Sequence, residues 1–148
     1  MSIMSKWSVV TEHAVGPEDL GADATITDAA VDRWAAAATA AYLEQCARLE
    51  DRRATDGLVV RSSVREHGGA RQLGGAPTVV VTATATEVLP EAFVVAVRIR
   101  PLAADSDDPL DLACEIRLED PVTGAAQDIG RDIRDELIAL EHGARHYN

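Results

Sequence analysis

From Leu58 onward, apolar and polar positions alternate along most of the chain, and a period of two predicts strands. Leu58–Arg65 opens this series. Thr78–Val88 follows, with Val79, Val81, Ala83 and Ala85 opposing Thr78, Val80, Thr82, Thr84 and Thr86, so one face is expected to be half-polar. Phe93–Arg100 sets Phe93, Val95, Val97 and Ile99 against Val94, Ala96, Arg98 and Arg100, and Leu110–Glu119 is the last clear strand. Leu89-Pro90-Glu91 and Asp120-Pro121-Val122-Thr123-Gly124 supply the residue types that tight turns require. Ahead of this series, Trp7–Val15 alternates well enough for a first strand, which Gly16-Pro17 ends. Between that strand and the others the period changes. Val31, Trp34, Ala35, Ala38, Ala41, Tyr42, Cys46 and Leu49 fall three and four apart, the stripe of one long alanine-rich helix. Thr27 or Asp28 is its expected N-cap and Glu50-Asp51-Arg52-Arg53 its charged exit, with a turn at Asp56-Gly57. A final amphipathic helix is expected from Gly130 to His142, with Ile133, Leu137 and Leu140 inward.

One strand, a long helix, four more strands and a terminal helix point to an α+β domain. The expected form is a curved antiparallel five-stranded sheet wrapped round a long central helix, with a short C-terminal helix. At 148 residues and 47% hydrophobic composition, one domain over residues 1–148 is sufficient. An open sheet of this kind leaves an edge at each side, and pairing those edges between copies predicts a homodimer or a dimer of dimers.

Charge narrows the function classes. A formal net charge of −11, with no Lys/Arg cluster beside aromatic residues, argues against nucleic acid and against an anionic membrane surface. No run approaches the roughly twenty apolar residues of a membrane span, and the N-terminus lacks a signal-peptide core, so a cytoplasmic location is expected. Cys46 on the helical stripe and Cys114 in a strand read as small buried hydrophobes, since two cysteines make no disulfide scaffold.

The acidic loop leading into the helix carries the candidate chemistry, because backbone N–H groups at a helix start are unpaired and the dipole there is positive. This loop, the helix text TDAAVDRWAAAATAAYLEQC and the closing segment IRLEDPVTGAAQDIGRDIRDEL resemble the hotdog-fold acyl-CoA thioesterases of the 4-hydroxybenzoyl-CoA thioesterase type. The resemblance runs from about Val9 to Leu140. It implies a hotdog fold, thioester hydrolysis on an acyl-CoA substrate, and no cofactor beyond the coenzyme A of that substrate. The family's loop reads approximately D-x-D-x-x-G-H-V-N-N, with the second Asp as nucleophile or general base. Setting Thr25, Ile26, Thr27 and Asp28 against H-V-N-N brings Asp19 to the first Asp, Gly21 to the second and Ala24 to the glycine. Gly21 therefore stands where the family carries its acid.

Thioester hydrolysis needs a carboxylate to attack or to activate water, and donors for the oxyanion. Candidate carboxylates are Asp19, Asp23 and Asp28 near the helix start and Glu44 on the helix. The N–H groups near Thr25, Ile26 and Thr27 are the candidate oxyanion donors. Structural roles compete with each: Asp28 suits a helix cap, Asp19 and Asp23 suit a solvated loop, and Glu44 suits a pair with Arg48. The resemblance also implies basic residues for the phosphates of coenzyme A, and Arg61, Arg65, Arg71, Arg98 and Arg100 are the candidates, against a role in protecting strand edges. A non-catalytic hotdog module that binds an acyl ligand or a protein partner is the alternative, kept open by Gly21. A hydratase or dehydratase requires a His beside an acid, and His13, His67, His142 and His146 lie in no such motif.

Overall fold

The computed structural model describes residues 9–67, 73–102 and 109–145, and at 9, 64–67 and 140–145 the backbone alone. Its strands are β1 (Val9–Ala14), β2 (Val59–His67), β3 (Thr78–Leu89), β4 (Ala92–Pro101), β5 (Leu110–Glu119) and a two-residue β6 (Ala126–Gln127). Its helices are α1 (Asp28–Glu44), α2 (Ala47–Asp56) and α3 (Gly130–Arg145). The five long strands form one antiparallel sheet in the order β1-β3-β4-β5-β2, and β6 adds to β5. β1 and β2 are the edges.

The expected alternation sets the register. Val81 lies opposite Ile99 and Val95 opposite Cys114, so apolar side chains of neighbouring strands share the inner face. α1 lies on that face, chiefly over β3 with β1 and β4 to either side. Ala30, Ala35 and Ala38 point at the sheet and are buried, and small side chains there let helix and sheet approach closely. Tyr42, Phe93, Leu110, Ile116 and Leu118 fill the core. Each such side chain, fully buried, contributes up to about 1.5–3 kcal/mol.

The single long helix expected from the apolar stripe is two helices. The N–H groups of Gln45 and Cys46 turn back to the carbonyls of Tyr42 and Leu43, closing α1 in a tighter turn. α2 then starts at Ala47, and Glu136 of α3 accepts a hydrogen bond from the Arg48 N–H at 2.9 Å. Tyr42, Cys46 and Leu49 are all fully buried, so the apolar spacing survives the break. α2 ends at Gly57, whose φ of +68° suits glycine.

Two further differences concern exposure and length. β3 is buried on both faces from Val79 to Ala85, threonines included, so the face expected to be half-polar is not solvent-exposed there. Thr82 Oγ1 donates to the Arg98 carbonyl of β4 at 3.4 Å. α3 runs three residues past His142, with Ile133 and Leu137 buried and the Leu140 side chain outside the described set. Trp7 and Ser8 of the expected first strand lie outside the described residues. Among the described residues, no helix is long and apolar enough to cross a membrane.

Candidate active site at the start of the central helix

The loop from Gly16 to Thr27 is held by backbone bonds at nearly every step. A 3₁₀ turn, Pro17–Asp19, leads to Leu20, which bridges Ile26 across a tight turn. Within the turn, Gly21 N–H donates to Thr25 O at 2.8 Å and Ala24 N–H to Gly21 O at 3.0 Å. Ala24 has φ +62°, the only non-glycine residue with positive φ among the described residues. An L-residue there carries about 1–2 kcal/mol of strain. Position 24 is also where the thioesterase loop pattern carries a glycine, so the backbone conformation agrees with that alignment of the loop.

The segment before β3 fixes the turn from outside. Gly74 O accepts from Ile26 N–H at 2.8 Å, and a Cβ on Gly75 would stand 2.7 Å from the Ala24 carbonyl oxygen. Only glycine permits that approach. Thr27 caps α1, its Oγ1 accepting from Ala30 N–H at 3.2 Å.

Asp19 lies inside this loop, at 4% exposure. Its Oδ2 accepts from the Gly16 N–H at 2.9 Å, and Arg33 Nη2 donates to Oδ1. The Gly16 bond holds its carboxyl below the usual carboxylate value against the opposing effect of burial, and Arg33 and nearby His13 act in the same direction. Its carbonyl accepts from both the N–H and the hydroxyl of Thr27.

Asp23 is exposed, and its Oδ1 accepts from Thr25 Oγ1 at 2.6 Å and Thr25 N–H at 3.2 Å. A Cβ built on Gly21 would lie 3.4 Å from that same Oδ1 and 3.5 Å from Thr27 Cγ2, in ordinary contact. The carboxylate of Asp23 thus stands in the space that a side chain at position 21 would enter. Asp28, exposed, is the first residue of α1, one past the cap. Glu44 is the last, about 24 Å along the axis at 1.5 Å per residue.

The candidate oxyanion donors are engaged within the loop. Thr25 N–H goes to Asp23, Ile26 N–H to Gly74 and Thr27 N–H to Asp19. One residue beyond Asp28, the N–H of exposed Ala29 has no partner among the described residues.

The candidate phosphate ligands lie elsewhere. Arg61, Arg98 and Arg100 sit on the sheet face away from α1, Arg61 paired with Glu119 at 3.0 Å and Arg98 with Asp111 at 2.8 Å. Arg65 occupies the bulge between Val64 and Glu66, its side chain outside the described set, and Arg71 lies outside the described residues. His13 is half-buried, its ring 6.0 Å from that of Trp34. His67 ends β2 and His142 lies in α3, both with side chains outside the described set, and His146 lies outside the described residues. Burial pushes the Cys114 thiol up, and neither cysteine is in a disulfide. Among the described residues no three His, Cys, Asp or Glu side chains gather as a metal site.

Sequence reading missed Arg33, whose partner is fourteen positions earlier, a separation with no periodic signal. His13 and Trp34 were equally invisible, since strand and helix meet only in the fold.

No family model matches the chain, and no curated protein matches it. Solved structures do. A probable thioesterase of Escherichia coli, YbaW, superposes with TM-score 0.69 at 13% identity, over 86% of this chain and 95% of its own. A 1,4-dihydroxy-2-naphthoyl-CoA thioesterase from Synechocystis gives 0.62 at 10% identity, over 90% and 97%. A mutant 4-hydroxybenzoyl-CoA thioesterase complexed with 4-hydroxybenzoyl-CoA gives 0.64 at 14%, over 87% and 97%. The chain has the hotdog fold. Against that fold, α1 is the hotdog's central helix and the loop from Gly16 to Thr27 is the one that leads into it. The expected five-stranded hotdog sheet is present, with β6 as an addition.

Proposed function

We propose that this hotdog protein hydrolyses an acyl-CoA thioester at the N-terminus of α1, with Asp23 as the working carboxylate. One observation carries the reading: Asp23 Oδ1 lies 3.4 Å from the Cβ position of residue 21, where the thioesterase pattern has its acid. A carboxylate two residues along the turn thereby supplies the missing group. Asp19 is a poor candidate, since both its oxygens are engaged and it is buried. Glu44 is at the far end of the helix.

In this mechanism Asp23 takes a proton from water as the water oxygen adds to the thioester carbon. The carbonyl oxygen becomes an oxyanion, which the Ala29 N–H and the positive helix end stabilise. Collapse breaks the carbon–sulfur bond, and the leaving thiolate takes up the proton. The products are a carboxylic acid and coenzyme A, and no cofactor enters. The phosphates would be met by arginines, of which Arg100 is exposed on the sheet face away from α1.

Asp23 is exposed in a single chain, and an aqueous site weakens electrostatic catalysis. A second copy of the chain, paired through a sheet edge, would cover it. β2 supports this reading: it is an edge strand, and Ser62, which pairs with core residue Ile116 and so faces inward, is exposed. The reading includes a homodimer working on a small-molecule thioester in the cytoplasm.

The test is thiol release from short, long and aromatic acyl-CoAs by wild type and Asp23→Asn. Turnover that the substitution lowers at least about 100-fold supports the reading. Saturable acyl-CoA binding without turnover on any substrate overturns it in favour of a binding module, the role to which Gly21 would then point.

A further inference from the structure

Among the described residues, Asp19 is the only charged side chain that is buried. Burying a carboxylate is unfavourable unless partners satisfy it, and here it is satisfied from several directions. Gly16 binds Oδ2 from the start of the 3₁₀ turn, and Arg33 binds Oδ1 from the second turn of α1. The same residue's carbonyl holds the N–H of the helix cap, Thr27, at 3.0 Å and its hydroxyl at 3.3 Å. Asp19 thus joins the strand exit, the cap and the helix flank at one point. The turn from Gly21 to Thr25 hangs from this joint, closed by the Leu20–Ile26 bridge. Asp23 belongs to that turn, and the Ala29 N–H lies in the first turn of α1, just past the cap.

We propose that Asp19 is a positioning residue: gripped by Gly16 and Arg33, it sets where Asp23 and the Ala29 N–H stand and does not touch the thioester. The proposal rests on the thioesterase reading above, and deepens it by separating two acids of one loop. Arg33 is its partner in that role. With its side chain 55% exposed, Arg33 closes the joint on the solvent side, so the pair couples the loop to the helix without being sealed in the core.

The test uses full-length Asp19→Asn, Arg33→Gln and the double variant. Steady-state thiol release over a pH series is combined with amide hydrogen exchange at Gly16 and Thr27. Expected is a kcat lower by about tenfold in Asp19→Asn, because small displacements of a positioned group slow the chemical step. KM should stay within about threefold, and the acid limb of the pH profile should stay at its wild-type position, since Asp23 remains the titrating group. Arg33→Gln should move the same quantities in the same direction. The double variant should be no slower than Asp19→Asn, because the two side chains make one interaction. Exchange at Gly16 and Thr27 should quicken at least about fivefold in each variant. Loss of all turnover in Asp19→Asn with exchange unchanged would overturn the proposal, since it would make Asp19 the reacting acid. Wild-type kcat with wild-type exchange would overturn it from the other side. Absence of turnover in the wild type would sink the thioesterase reading alone. The exchange arm still decides the joint, because slow, wild-type exchange at both amides in Asp19→Asn would refute it.

Discussion

The two ends of α1 solve the same problem in different ways. Every helix end leaves backbone groups without helical partners. At the C-terminal end the answer is apolar and local: two N–H groups turn back on Tyr42 and Leu43, and fully buried Cys46 and Leu49 carry the stripe into α2. At the N-terminal end the answer is polar and distant. A buried carboxylate, a threonine cap, a left-handed alanine and a glycine contact from the segment before β3 hold a solvent-facing turn. The first end serves packing. The second keeps strain and charge in place around an exposed carboxylate and an unengaged N–H, an arrangement that stability alone does not require.

Substitutions can break this contrast, beginning with the largest expected effect. Leu49→Ala empties a fully buried position beyond the C-terminal end and should destabilise the fold by about 2–5 kcal/mol in chemical denaturation. Its kcat, measured well below the melting temperature, should stay within about twofold of wild type; a large loss of kcat would show that the two ends are not separable. Gly75→Ala brings a methyl to 2.7 Å from the Ala24 carbonyl, where backbone must shift. It should cost about 1–3 kcal/mol and, unlike Leu49→Ala, should slow turnover out of proportion to stability. Ala24→Gly removes the strained φ and should raise stability by about 0.5–1 kcal/mol, read as a higher melting temperature. A fall in melting temperature there would mean that the turn is not under strain.

Much of the fold was readable because its strands obey period two. Leu110–Glu119 begins and ends where alternation places it, and Asp56-Gly57 closes α2 at a left-handed glycine. The break at Gln45 was hidden for a physical reason: neither glycine nor proline marks it, and Tyr42, Cys46 and Leu49 keep helical spacing across it. β6, with two residues, is too short to show a period. At the site, the alignment that assigns Ala24 to a glycine position was available in the sequence, and the φ of +62° agrees with it. The different fates of Asp19 and Asp23 were not. Both are acids in a loop, and contacts with Gly16, Thr27 and Arg33, three, eight and fourteen positions away, make one a buried joint while the other faces solvent, separations that leave no periodic trace.

The most direct test moves the carboxylate rather than removing it. Gly21 has no left-handed φ, and a Cβ there meets only ordinary contacts, so Gly21→Asp can be combined with Asp23→Asn. The measurement is thiol release by Asp23→Asn and by the double variant on the best acyl-CoA substrate. Asp23→Asn should lose at least about 100-fold in kcat, and adding Gly21→Asp should restore at least about tenfold of it. Wild-type turnover in Asp23→Asn would contradict the account, because the thioester would then be opened without the carboxylate assigned to it.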